Sequence, residues 1–152
     1  AEDQAVIAWA MEETARRFYL EMADRLDEPD VAALFAELAE AEDHHKATLK
    51  ALWEALAGCL AADGFPASPL STSGIMEGGI DLDEALKWAE QSSTAKIIDF
   101  AMAMELSAYD HYLYLQRNSD NPDSKRLFEV MADEERAHLR ELGKSLEKIR
   151  GL

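Results

Sequence analysis

The stretch Leu34-Phe35-Ala36-Glu37-Leu38-Ala39-Glu40-Ala41-Glu42-Asp43-His44-His45 decides how this chain folds. Phe35 and Leu38 recur at helical spacing, and Glu42 and His45 fall on the same face one turn apart. That face runs on through Leu49, Leu52 and Leu56, so a carboxylate and an imidazole are set into a stripe that otherwise faces a core. A second Glu-x-x-His stands at Glu135-Arg136-Ala137-His138, between Phe128, Met131 and Leu142, Leu146, Ile149. Another Glu lies 30 residues before each copy, Glu12 before Glu42 and Glu105 before Glu135.

The two copies belong to one repeat. Shifting residues 5–58 by 93 positions superimposes them on 98–151 without a gap. Identities include Met11/Met104, Glu12/Glu105, Ala15/Ala108, Tyr19/Tyr112, Pro29/Pro122, Phe35/Phe128, Glu42/Glu135, His45/His138 and Leu49/Leu142. Two repeated helical hairpins imply an all-α, pseudo-two-fold four-helix bundle. In an antiparallel hairpin, residues equidistant from the turn lie at one height. Glu12 and His45 are equidistant from the break at Asp27-Glu28-Pro29-Asp30, and Glu105 and His138 from the break at Asp120-Asn121-Pro122-Asp123. Each lies about 25 Å along its helix from the turn, at 1.5 Å per residue. Both sets therefore sit near mid-bundle, where the hairpins face each other.

The helical period predicts helices over 3–26, 31–57 and 94–118, and a last helix that follows the turn at Asn121-Pro122-Asp123 and carries Phe128 through Ile149. Pro29 suits a first helical position, and Gly58 and Gly151 suit helix stops. This gives a single domain over 1–152, with hairpin 1 at about 3–57, a crossover at 58–93 and hairpin 2 at about 94–150. The crossover is rich in Gly, Pro and Ser over 58–80. Asp81-Leu82-Asp83-Glu84 then reads as a cap and first turn of a short helix reaching about Gln91.

Composition agrees with this reading. A chain of 152 residues, 48% hydrophobic and 30% charged, suits one soluble domain. Its net charge of −16 argues against a nucleic-acid or anionic-membrane partner, which would need a basic patch. No apolar run approaches the roughly 20 residues of a membrane span, and no signal-peptide pattern opens the chain, so a cytoplasmic location is expected. The single cysteine, Cys59, excludes an internal disulfide or a Cys-x-x-Cys metal knuckle, and its place after an apolar helix predicts a buried, inert thiol.

Four carboxylates and two imidazoles on apolar faces need compensation, because buried charges of one sign repel and are costly to desolvate. Two divalent cations supply it. Glu12 and His45 are expected to serve one metal, Glu105 and His138 the other, with Glu42 and Glu135 bridging. Oxygen and imidazole donors without thiolate suit iron or manganese, with zinc also open. Two irons with open positions can reduce peroxide or dioxygen. Without metal, like-charge repulsion and burial should raise the carboxylate pKa values as a set. Tyr19 and Tyr112, each seven residues after a ligand Glu, are placed to hydrogen-bond a ligand carboxylate from outside the metal shell. His44 and His111 have no repeat mate and read as surface or rim residues. Ile7, Met11 and Phe18, with Phe100 and Met104, form a second apolar stripe. It reads either as a surface for a second copy of the chain, which would make a homodimer, or as core beneath the crossover.

At this point the sequence resembles the ferritin-like superfamily, and within it the rubrerythrin branch. The likeness is carried by Glu12-Glu13-Thr14-Ala15-Arg16-Arg17-Phe18-Tyr19, by Leu34 through His45, and by Leu127-Phe128 through His138. It implies a di-iron four-helix bundle, often dimeric, from a superfamily that includes peroxide reduction, ferrous oxidation and oxygen activation. An iron-binding, iron-handling or sensor protein without turnover is the alternative it allows. Two departures bear on activity. Rubrerythrins proper carry a four-cysteine rubredoxin-like domain, which this sequence does not supply, so an external electron donor such as a separate rubredoxin is expected. They also carry an extra Glu one turn beyond the third-helix ligand, where this chain has Ala108, matched by Ala15.

Overall fold

The computed structural model describes residues 2–58, 64–66, 74, 76 and 79–151. Among them run five helices: α1 (Glu2–Arg25), α2 (Pro29–Ala57), α3 (Leu82–Glu90), α4 (Thr94–Asn118) and α5 (Pro122–Arg150). The fold is all-α, and α1/α2 and α4/α5 form the two hairpins. The hairpins meet chiefly through α2 against α5, and α3 packs on α1. Among the described residues no helix is long and apolar enough to cross a membrane. Cys59 and most of the 58–80 connection lie outside the described residues.

Local chemistry sets the helix ends. Pro29 opens α2 with Asp30 in its first turn, where the missing N–H costs nothing and the acid meets the positive helix end. Gly58, at φ 57°, stops α2 in a conformation that a side chain would resist. Asp81 caps α3 by accepting from Glu84 N, and Ser93 caps α4 by accepting from Lys96 N at 3.3 Å. Asn121 caps α5 with two bonds, to Asp123 N at 2.8 Å and Ser124 N at 3.2 Å. Its repeat mate, Glu28, makes no such cap. The Glu28 carboxylate instead accepts from Thr94 Oγ1 at 2.9 Å, tying the first turn to the start of α4.

Two apolar layers result. One holds Tyr19, Met22, Phe35, Leu38, Ile98, Ala101 and Leu142, closed by Leu82, Ala85 and Ala89 of α3. The other holds Ala8, Leu49, Leu52, Tyr112, Leu115, Phe128 and Met131. Along α2, Phe35 and Leu38 belong to the first layer and Leu49 and Leu52 to the second, and Glu42 and His45 lie between them.

The second apolar stripe divides. Phe18 and Met104 are buried, and Phe18 packs at a tilt against Phe100 (5.1 Å) and Phe100 against Trp88 of α3 (5.2 Å). Full burial of a ring such as Phe18 is worth about 1.5–3 kcal/mol. Ile7, at the other end of the stripe, remains 42% exposed. The core reading holds at the Phe18 end, and at Ile7 the stripe is open to solvent.

Candidate metal centre

Each helix of the bundle brings its predicted residue to mid-length. Glu12 comes from α1, Glu42 and His45 from α2, Glu105 from α4, and Glu135 and His138 from α5. All four carboxylates and His45 are buried, and the His138 side chain is 20% exposed. The donor atoms fall into two sets, each within a span of 4.8 Å: Glu12, Glu42, His45 and Glu135, and Glu42, Glu105, Glu135 and His138. Glu42 and Glu135 are common to both.

The imidazoles turn Nδ1 toward the carboxylates. His45 Nδ1 lies 3.0 Å from Glu135 and 3.4 Å from Glu12, and His138 Nδ1 lies 3.5 Å from Glu105 and 3.6 Å from Glu135. These approaches lack hydrogen-bond geometry. Glu12 Oε2, His45 Nδ1, Glu105 Oε2, both Glu135 oxygens and His138 Nδ1 are buried without a hydrogen-bond partner. An unsatisfied buried polar atom costs about 1–3 kcal/mol, and a charged one more. Six such atoms converging on one volume, all oxygen or imidazole nitrogen, fit a pair of divalent first-row metal ions.

The remaining atoms are fixed from outside the cluster. Tyr19 of α1 donates to Glu105 of α4 at 2.8 Å, and Tyr112 of α4 donates to Glu12 of α1. Each tyrosine therefore reaches the opposite hairpin rather than the glutamate on its own helix. His45 Nε2 pairs with Glu134 of α5 at 2.6 Å. Sequence reasoning missed Glu134, although it stands next to Glu135. In the repeat Glu134 is matched by Ala41, so no second carboxylate points to it. His44 is exposed, as expected of a surface residue, and His111 is half-buried with Nε2 unpartnered.

The carboxylates, expected to rise on average, divide: Glu12 is raised and Glu135 is lowered. Burial raises Glu12, reinforced by the Glu135 charge and opposed by His45 and Tyr112. Burial alone would also raise Glu135, but the adjacent His138 and His45 pull it below the usual carboxylate value. Burial disfavours charge on His45, yet the Glu12, Glu134 and Glu135 carboxylates outweigh it and hold its proton well above the usual imidazole range. The pull between the two imidazoles and the carboxylates is what the expectation left out.

Beside the carboxylates, a cavity of about 10 Å³ is lined by Glu12, Ala15, Tyr19, Glu42, Met104, Glu105 and Ala108. That is about the space of one water. Ala15 and Ala108 line it where a longer side chain would fill it.

A bundle of two repeated hairpins around a buried carboxylate–histidine cluster defines the ferritin-like di-iron carboxylate class. The rubrerythrin family pattern matches residues 6–66 and 96–151, and the chain belongs to that family. A hypothetical protein from Pyrococcus furiosus has a similar solved structure, with 23% identity and a TM-score of 0.72 over 96% of this chain and 87% of that one. That likeness is one of fold. No curated protein shows a significant match.

Proposed function

We propose that the chain holds two iron ions and acts as an oxidoreductase on peroxide or dioxygen. The observation that carries this reading is the pair of donor sets sharing Glu42 and Glu135. Iron held there would supply two-electron ferrous/ferric chemistry, with electrons restored by an external donor. The protein's part is to hold and orient. Glu12 with His45, and Glu105 with His138, each serve one ion, and Glu42 and Glu135 serve both. Glu134 holds the His45 proton at Nε2, leaving Nδ1 to face the centre. The Tyr19 and Tyr112 hydroxyls donate to Glu105 and Glu12, which fixes the orientation of both carboxylates. The cavity beside Ala15 and Ala108 has room for about one water and none for an organic substrate.

Two metal ions per chain are expected by elemental analysis, and loss of uptake on reconstitution of a purified, folded chain overturns the reading. Stopped-flow mixing of the ferrous protein with peroxide, and separately with oxygen, tests the activity. Fast stoichiometric oxidation, then turnover when a separate rubredoxin and its reductase are added, is expected. Slow oxidation indifferent to the oxidant assigns an iron-binding protein without turnover instead.

A further inference from the structure

The two metal positions differ in one feature that the repeat does not copy. His45 Nε2 is held by the Glu134 carboxylate at 2.6 Å, a contact that crosses from α2 to α5 and links the hairpins. Applying the 93-residue shift, the same contact for His138 would come from residue 41 of α2, which is Ala41. A methyl group offers no acceptor. The described residues provide no carboxylate for His138 Nε2, and the His138 ring is 20% exposed against 2% for His45.

Resting on the di-metal reading above, we propose that Glu134 is a positioning residue that makes the two sites unequal. The Glu12/His45 site takes metal first and tightly, and the Glu105/His138 site is the weaker, exchangeable one, open to solvent. The physical reason is the hydrogen bond. A carboxylate on the outer imidazole nitrogen fixes the tautomer, so Nδ1 presents its lone pair inward, and it also raises the basicity of that nitrogen. Losing such a partner typically costs about 10–100-fold in metal affinity. His138 lacks it from the start, and its ring must settle its own tautomer in contact with water. Filling the first site also removes negative charge from Glu42 and Glu135, which both sites share. Charge sharing alone would separate the two steps whichever site filled first. Glu134 decides which one does.

The test is a calorimetric titration of the metal-free protein with cobalt(II), anaerobically, with the cobalt visible spectrum recorded at each step. Wild type is expected to bind two ions in steps at least about tenfold apart. His138→Ala should abolish the weaker step, which assigns it. Glu134→Ala should weaken the tight step by about 10–100-fold and move the other by less than about threefold, with Glu134→Gln between. Glu134 is half-exposed, so these variants are expected to fold. Ala41→Glu, which adds the missing acceptor, should draw the steps together. Two equal steps in wild type, or equal weakening of both steps by Glu134→Ala, overturns the inequality while leaving the metal centre intact. No cobalt uptake by folded wild type overturns the metal centre itself, and this inference with it.

Discussion

At the scale of single residues, the hydrogen bonds that cross between hairpins are open to direct test. Tyr112→Phe removes the donor to Glu12 and leaves a buried carboxylate oxygen unsatisfied. The metal-free protein should lose about 1–3 kcal/mol. Calorimetric melting at pH 7 checks this, and an unchanged Tm would show that the bond carries no stability. His45 gives a pH dependence whose sign follows from its raised proton affinity. Its stabilisation is fully present below the usual 6.5 and is lost as pH rises through the higher folded value. Glu12, also raised, acts in the same direction, since its folded form favours the proton. Glu135, depressed by the two imidazoles, stabilises above the usual 4.5 and loses that contribution as pH falls. The metal-free protein should therefore be most stable in the mildly acidic to neutral range and melt lower at pH 9 than at pH 6. Metal should remove the alkaline loss, because deprotonated ligands bind it better. Circular-dichroism melts across this range, with and without ferrous ion, measure both effects.

At the scale of helices, the seam between α1 and α2 carries an ion cluster with no counterpart between α4 and α5. Glu13 accepts from Arg16 at 2.9 Å, Arg17 at 3.2 Å and Lys46 at 2.5 Å, and Lys46 lies 4.8 Å over the Trp9 ring. The repeat mates of Glu13 and Lys46 are Leu106 and Leu139. Burial would raise Glu13, but Arg16 and Lys46 outweigh it and bring it down to about 2. Its contribution is present above the ordinary value of 4.5 and is lost as pH falls toward about 2. Glu13→Gln should cost about 1–2 kcal/mol at pH 7, discounted for the exposure of the cations, and almost nothing at pH 2. Paired denaturant titrations at the two pH values would expose a gap that fails to close. The helices, their turns and the six polar residues at mid-bundle were legible because period and repeat state them twice. The cover over Phe18 was not, since α3 has no repeat mate to show which face it packs on. Glu134 was missed for the same reason in reverse, because the repeat breaks at Ala41. The downward shift of Glu135 depends on where two imidazoles point, and spacing does not carry that.

For the whole molecule, Glu42 and Glu135 are the two residues both donor sets require. Ferrous ion at a thousandfold excess over a site's Kd should stabilise wild type by about 4 kcal/mol for each site filled. That is roughly 10 °C in Tm for a chain of this size. The double variant Glu42→Gln, Glu135→Gln should show no metal-dependent shift. An equal shift in both proteins would move metal binding elsewhere. The open end of the apolar stripe, at Ile7 and the half-buried Met11, is proposed as the contact with a second copy of the chain. Light scattering should then give a homodimer for wild type and a monomer for Ile7→Glu. A monomeric wild type at micromolar concentration removes the proposal.

The donor sets are divided unevenly along the chain. One takes Glu12, Glu42 and His45 from the first hairpin and only Glu135 from the second; the other takes Glu42 from the first and three donors from the second. An ion in either set therefore acts as a cross-link between halves 93 residues apart in sequence. During synthesis the first hairpin is complete long before Glu135 exists, so a nascent chain offers three donors and no closure. Metal capture becomes a report that the two halves have docked. Native-state hydrogen exchange should read this directly. Without metal, amides of α1/α2 and of α4/α5 should open as two units of different stability; with metal bound, both should exchange only through one shared, rarer opening.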